Sequence, residues 1–257
     1  SFSVCCRSVQ AGISGNHYNF LEFALGAANA SPILTSDPLY QTCCNEAVFY
    51  NIGAMDTSDF DSLSYSWGAT FTSSSSTINP APIDVYYPGS LQPPYHNINA
   101  NPPIGIYLNS QSGDLVFTPI NCTQTTSYVI EVKEWAKDSF GNRIHVGTVR
   151  RDMSFEVLSC PNNNPPRVNG PYAYSVCEGD SLCFDITSND NVYVPPPPAT
   201  SPPADTVTLS WNHGIPDASF TIINPTARVQ TGSFCWTPDP GTASYLPYSF
   251  TVTAKDN

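Results

Sequence analysis

Residues 111–119 read QSGDLVFTP and residues 230–238 read QTGSFCWTP, so the chain carries one pattern twice. Upstream, DSLSYSW (61–67) answers DTVTLSW (205–211). Downstream, SYVIEVKE (127–134) answers YSFTVTAKD (248–256). Cys43 stands 13 residues before Asp56, and Cys177 stands 13 residues before Asp190. Four matching blocks in one order mean two copies of a module, and therefore an array rather than a single enzyme domain.

The blocks themselves are short and alternate apolar with polar residues, which suits half-buried strands. Charged residues make up only 12% of the chain and prolines number 25, a mix that disfavours long helices. The expected fold is all-β: tandem antiparallel β-sandwiches of Ig-like or cadherin-like type. Trp67, Trp211 and Trp236 fall in strand-like blocks and are read as core anchors, with Trp67 and Trp211 in equivalent buried positions.

Four segments follow. Residues 1–35 match the start of neither copy and read as the tail of a preceding module. Within them FSVCCRSV and FLEFAL suit strands, and FLEFALGAA also suits a short helical turn. Residues 36–160 form the first full module, with a Ser-, Pro- and Tyr-rich insertion from Ser73 to Pro103. PNNNPP (161–166) is a stiff linker, and residues 167–257 form the second module. The polyproline stretch 192–204 reads as a stiff surface loop. The sequence stops directly after YSFTVTAKD, which suits a piece of a longer array.

Net charge is −12 and the pI about 4.4. Such a surface repels phosphate backbones, so nucleic acid is not an expected partner. No apolar run approaches the ~20 residues a helix needs to cross a bilayer, so no membrane insertion is expected in this segment. Nine cysteines without a CxxC pair point to disulfides in an extracellular or cell-surface setting. Cys177 and Cys183 flank the turn EGDSL and would close a hairpin, while Cys122 and Cys160 would tie a strand to the module's exit. Cys5-Cys6 and Cys43-Cys44 are adjacent pairs, whose members rarely bond to each other, so one of each is expected to bridge modules or chains.

The best site is the acidic turn Asp56-x-x-Asp59-x-Asp61. Carboxylates at this spacing can converge on one hard cation through oxygen, so Ca2+ is the expected ion. The other reading is a solvated turn with Asx hydrogen bonds. Asp190 and Asp205 take the corresponding places in the second module, and Glu134 is a further candidate ligand at a strand end. No GxSxG, HExxH or phosphate-binding glycine loop occurs, and no histidine has a spaced partner, so no catalytic residues are assigned. N-linked glycan acceptors are expected at Asn29 and Asn121, each in an N-x-S/T triplet.

DTVTLSWNHGIP, TGSFCWTP and PYSFTVTAKDN resemble the repeated modules of very large Bacteroidetes surface proteins exported by type IX secretion, including gliding-motility adhesins of the SprB kind. GAMDTSDFDSLSYSW, GDLVFTP, YVIEVKEW and GTVRRDMSFEVLSC resemble the same family, so the likeness spans residues 36–257. It implies stacked sandwiches outside the cell without enzymatic activity, a cadherin-like calcium turn whose acids match Asp56, Asp59 and Asp61, and glycans on the hydroxyls of Ser62, Ser181 and Thr206, whose Asp-Ser/Thr-apolar triplets resemble the sites glycosylated in Bacteroidetes. The chain departs from that turn: Thr57-Ser58 stand for Pro, and Phe60 for a Gly that reaches positive φ freely.

The expected function is thus a non-enzymatic structural or adhesive segment, an extended rod stiffened by calcium. Its partners are neighbouring modules of the same or identical chains, as in a fibre, and a surface or glycan. The alternative is a carbohydrate-binding module of a secreted glycan-degrading system, suited by the Tyr-rich loops and acidic turns.

Overall fold

The computed structural model describes the chain except residues 1, 5–16, 24–28, 57–60, 72–76, 79–81, 161–162, 193, 195–196, 199, 201–203, 244–246 and 257. It divides into two compact units, Ser1–Ser159 and Cys160–Asn257, called module one and module two below. Among the described residues every regular element is a strand.

Module one contains β1 (Phe2–Val4), β2 (His17–Phe23), β3 (Ile33–Leu34), β4 (Leu39–Cys43), β5 (Val48–Asn51), β6 (Ala54–Met55), β7 (Ser62–Gly68), β8 (Thr70–Phe71), β9 (Thr77–Ile78), β10 (Ile106–Leu108), β11 (Asp114–Phe117), β12 (Thr125–Lys137) and β13 (Arg143–Leu158). The larger sheet runs β1-β2-β13-β12-β7, with β4 lying parallel on β13; the smaller runs β10-β11-β5. Strand period two explains which residues meet between the sheets. Val48 and Tyr50 point in from β5 while Phe49 points out, and Met153, Phe155 and Val157 point in from β13. A fully buried Phe or Val side chain contributes roughly 1.5–3 kcal/mol over an exposed one. The β12–β13 hairpin turns at Asp138-Ser139-Phe140-Gly141-Asn142, where Asp138 Oδ1 accepts the Phe140 and Asn142 N–H groups at 2.9 and 2.8 Å. Those donors favour its charged form and hold its carboxyl below the usual range, the Asn142 side chain contributing most.

The long Ser-, Pro- and Tyr-rich insertion is not only surface. Its part from Pro82 to Pro103 is stitched down by Tyr86 N–H to Thr118 O and Ile120 N–H to Asp84 O, both 2.9 Å. This places Ile83 and Val85 in the core.

Module two contains β14 (Arg167–Asn169), β15 (Leu182–Asn189), β16 (Thr208–Trp211), β17 (Ser219–Ile222), β18 (Thr231–Trp236) and β19 (Val252–Lys255). One sheet runs β14-β15-β18-β17 and the other pairs β16 with β19. Both modules are antiparallel sandwiches, and their registers coincide. Ile33↔Met55 and Arg167↔Asn189 occupy the same place, so residues 29–56 correspond to 163–190 without a gap. Tyr50↔Leu115 answers Phe184↔Phe234, and Trp67↔Ile130 answers Trp211↔Val252. The glycine shared by QSGD and QTGS has a packing reason. A Cβ on Gly113 would run into the Tyr65 ring, and one on Gly232 into the Phe220 ring.

The tryptophans are equivalent in register but not in burial. Trp211 packs among Phe220, Phe234 and Phe250, whereas Trp67 is 43% exposed and touches Tyr128. Trp67 lies on the inward face near the end of β7, where the opposite sheet does not cover it. Tyr65 and Leu209, two residues earlier, are the buried anchors.

Candidate functional site

The acidic turn of module one sits between β6 and β7. Asp56 follows β6, and its Oδ2 accepts the Asp61 N–H at 2.8 Å, an Asx-type closure that fixes the two acids together. Asp59 lies outside the described residues. β7 then runs beside the end of β12, with Ser62 opposite Trp135 and Leu63 opposite Glu134. The register of β12 against β13 shifts between Glu134 and Trp135, a bulge of the kind that re-aims side chains.

Glu134 is fully buried, and its Oε2 accepts a hydrogen bond from Asn29 Nδ2 at 3.0 Å. Gly147 faces it across the ladder, and a Cβ there would collide with the same carboxylate oxygen. Asn29 Oδ1 is buried without a hydrogen-bond partner. Glu131 does not join this group. Three residues away on a strand, it faces the opposite side and pairs with Arg150, whose Nε donates at 2.7 Å.

Module two repeats the Asn–acid contact. Asn163 Nδ2 donates to Asp256 Oδ2 at 3.0 Å, and these residues hold the positions of Asn29 and Glu134. The turn acids there are held differently. Asp190, only 4% exposed, takes Arg228 Nη1 on its Oδ2 at 2.9 Å, while its carbonyl takes Nη2 at 2.9 Å. Asp205 contributes its carbonyl to Arg228 Nη1 at 3.1 Å. A guanidinium thus gathers the turn that an ion was expected to gather, which answers the cost of burying a carboxylate.

The donors of module one are chemically those of a hard cation: carboxylates of Asp56, Asp61 and Glu134, and the free amide oxygen of Asn29. Among the described residues no three His, Cys, Asp or Glu side chains form a metal-sized group.

The cysteine pairings differ from those expected. Cys183 bonds Cys235, not Cys177, because β15 and β18 place the two directly opposite each other, with Cα atoms 4.2 Å apart. Cys122 bonds Cys44, not Cys160, across 78 residues of sequence. Cys43 and Cys160 are also in disulfides, and Cys177 is the free, exposed cysteine among the described residues. Of the glycan acceptors, Ser181, Thr206 and Asn121 are exposed. Asn29 Nδ2 is spent on Glu134, and Ser62 Oγ donates to Trp135 O at 3.1 Å.

Sequence reasoning missed two members of these clusters. Asn29 was legible only as a glycan acceptor, although NASP and NNPP stand at matching places in the two copies. Arg228 lies 38 residues from Asp190 and gives no local sign of the contact.

Three tyrosines seal the core of module one. Burial pushes Tyr50 up to about 12, with Arg151 pulling the other way, and its hydroxyl donates to Asp37 O at 3.0 Å. Burial likewise pushes Tyr128 up to about 12, partly offset by the Ile83 N–H donated to its oxygen. Tyr65 is raised further by burial.

No family model matches the chain, and no curated protein matches it. Among solved structures, the crystal structure of Dpr2 Ig1-Ig2 in complex with DIP-Theta Ig1-Ig3 is similar over 88% of this chain and 96% of that one. The identity is 13% and the TM-score 0.25, too low to carry more than the mention. The Ig-like architecture rests on the strand order and registers above. No helix among the described residues is long and apolar enough to cross a membrane.

Proposed function

We propose that this chain is a non-enzymatic structural or adhesive segment of a large secreted bacterial surface protein, of the gliding-motility adhesin kind exported by type IX secretion. The observation that carries the reading is the twice-built pole, Asn29 on Glu134 and Asn163 on Asp256. Both copies spend the same polar contact where the chain enters a module, as a repeated joint would require. The disulfides of both modules suit an extracellular setting.

Calcium would draw on the acidic turn of module one, Asp56, Asp59 and Asp61, with Glu134 and Asn29 Oδ1 as further oxygen donors; the described acids do not converge on one point by themselves, so the ion would have to gather them. The ion would offset the repulsion among carboxylates in a chain of net charge −12. Calcium should raise the melting temperature of module one by mass action, and chelator should reverse it. Module two, already closed by Arg228, should respond little. Calorimetry with Glu134→Gln and Asp56→Asn checks this: a calcium response that survives both substitutions would remove the site.

Exposed Trp67, in a shallow depression with Thr70, Pro82 and Tyr128, favours carbohydrate binding as the second reading. A glycan array separates the two, since sugar binding should be lost in Trp67→Ala while the calcium response stays.

A further inference from the structure

The chain holds two aspartate–proline bonds, Asp37-Pro38 and Asp239-Pro240. In such a bond the aspartate carboxylate can reach its own main-chain carbonyl carbon by closing a five-membered ring, so the nucleophile is already in place. The nitrogen released is that of a tertiary amide, more basic than an ordinary peptide nitrogen and readier to take a proton and leave.

The two bonds stand in different surroundings. Asp37-Pro38 joins β3 to β4, and the Asp37 carbonyl oxygen accepts the Tyr50 hydroxyl at 3.0 Å. That hydroxyl also lies 3.3 Å from Met153 Sδ, but a thioether is the weaker acceptor and the carbonyl oxygen holds the proton. Tyr50 is 6% exposed, and burial keeps its proton in place at any physiological pH. Arg151 lies on the same face of β13 as Met153. Burial disfavours its charge, Tyr50 and Asp37 beside it favour that charge, and its Nη1 is buried without a hydrogen-bond partner. Asp37 is exposed, so water reaches the bond. Both flanks are pinned: Ser36 Oγ donates to Asn51 O at 2.6 Å, and Ser154 N–H donates to Pro38 O at 2.8 Å. Asp239-Pro240 lies instead in an exposed turn, where Thr242 supplies the donors to Asp239 O, its N–H at 3.1 Å and its hydroxyl at 2.7 Å. Water competes with both there.

Module two shows that packing does not need the Tyr50 hydroxyl. Asp37, Pro38 and Tyr50 correspond to Pro171, Tyr172 and Phe184. A ring without a hydroxyl fills the same position in the copy that has no aspartate–proline bond at this place.

We propose that module one cuts its own chain between Asp37 and Pro38, with Tyr50 as the catalytic residue that takes up the negative charge developing on the Asp37 carbonyl oxygen. An Asp37 carboxylate oxygen attacks the Asp37 carbonyl carbon, and the charge passes to the carbonyl oxygen, held by Tyr50 O–H in the field of Arg151. The bond from that carbon to the Pro38 nitrogen breaks. The nitrogen keeps the electron pair and takes a proton from water, and the hydroxide left behind opens the cyclic anhydride of Asp37. The sum is one water consumed, a new carboxyl terminus at Asp37 and a new amino terminus at Pro38. The cut is a single event of the chain upon itself and does not depend on the array reading above. Its ends stay together, because β2 pairs with β13 and β3 with β6 across the break, so the product is a nicked module.

The 257-residue chain is incubated folded at about pH 6, where an ordinary aspartate is ionised, and read by intact mass after denaturation and reduction. Pieces 1–37 and 38–257 should accumulate at a rate independent of protein concentration. This cut should run at least tenfold faster than the one at Asp239-Pro240 in the same molecule, and urea should bring the two rates together. Asp37→Ala should abolish it. Tyr50→Phe, folded by circular dichroism, should slow it at least tenfold and leave the Asp239-Pro240 rate unchanged. A chain that stays whole, or one cut equally at both bonds, would overturn the proposal. A rate the same in urea as in the folded chain would overturn it too, and one unchanged in Tyr50→Phe would remove Tyr50 as the catalytic residue.

Discussion

Module one and module two use one skeleton and close it with different chemistry. Tyr50, Tyr65 and Tyr128 of module one are answered by Phe184, Leu209 and Phe250. The acidic turn of module one carries Asp56 on a backbone N–H, and that of module two carries Asp190 on Arg228. The repeat fixes where bulk must sit, because each position faces a fixed partner across a ladder. It does not fix how polar groups are satisfied, because each buried hydroxyl or carboxylate finds whatever donor its own loops bring near.

The largest consequence is alkaline. An unfolded tyrosine ionises near pH 10, while Tyr50 and Tyr128 hold their protons to about 12 in the fold. Below pH 10 both states are neutral and stability is flat. From about 10 to 12 only the unfolded state loses protons, so stability falls as pH rises, together on the order of 5 kcal/mol. Module one should unfold in that window while module two, without these tyrosines, stays folded; circular dichroism against pH with Tyr50→Phe as the rescue variant checks it. Next, Phe155→Ala should cost module one about 3–5 kcal/mol, and Phe184→Ala should cost half-buried module two less. Equal losses by calorimetry would mean that the depth at which each ring is buried does not set its cost. Removing Cys183 and Cys235 together should cost about 2–4 kcal/mol, confined to module two. The smallest effect is Arg228→Met, about 1–2 kcal/mol given that the guanidinium is partly exposed. The same change should give module two a calcium response in melting, and its absence would separate the two acidic turns for good.

Much of this fold was legible because strands advertise themselves locally. LSYSW and TVTLSW alternate, and the two copies vouch for each other. The cysteine partners were not legible. Cys183 and Cys235 meet only because β15 and β18 are in register, which no spacing along the chain reveals. The site was half legible. Carboxylates in a turn announce themselves, but the Asn29 amide and the Arg228 guanidinium arrive from far along the sequence. Trp67 shows the remaining gap: period two gives the face a side chain points to, not how far the opposite sheet extends to cover it.

The Cys44–Cys122 bridge also has a mechanical meaning. Pulled from both ends, an unfolding module lengthens by the chain it releases. The bridge spans a sequence separation of 78 residues, so at ~3.4 Å per residue it withholds roughly 260 Å of extension. Cys183–Cys235, at a separation of 52, withholds roughly 180 Å. Under oxidising conditions these two bridges therefore withhold about half of the extension the unfolded chain could give under tension, and reduction should lengthen its unfolding steps.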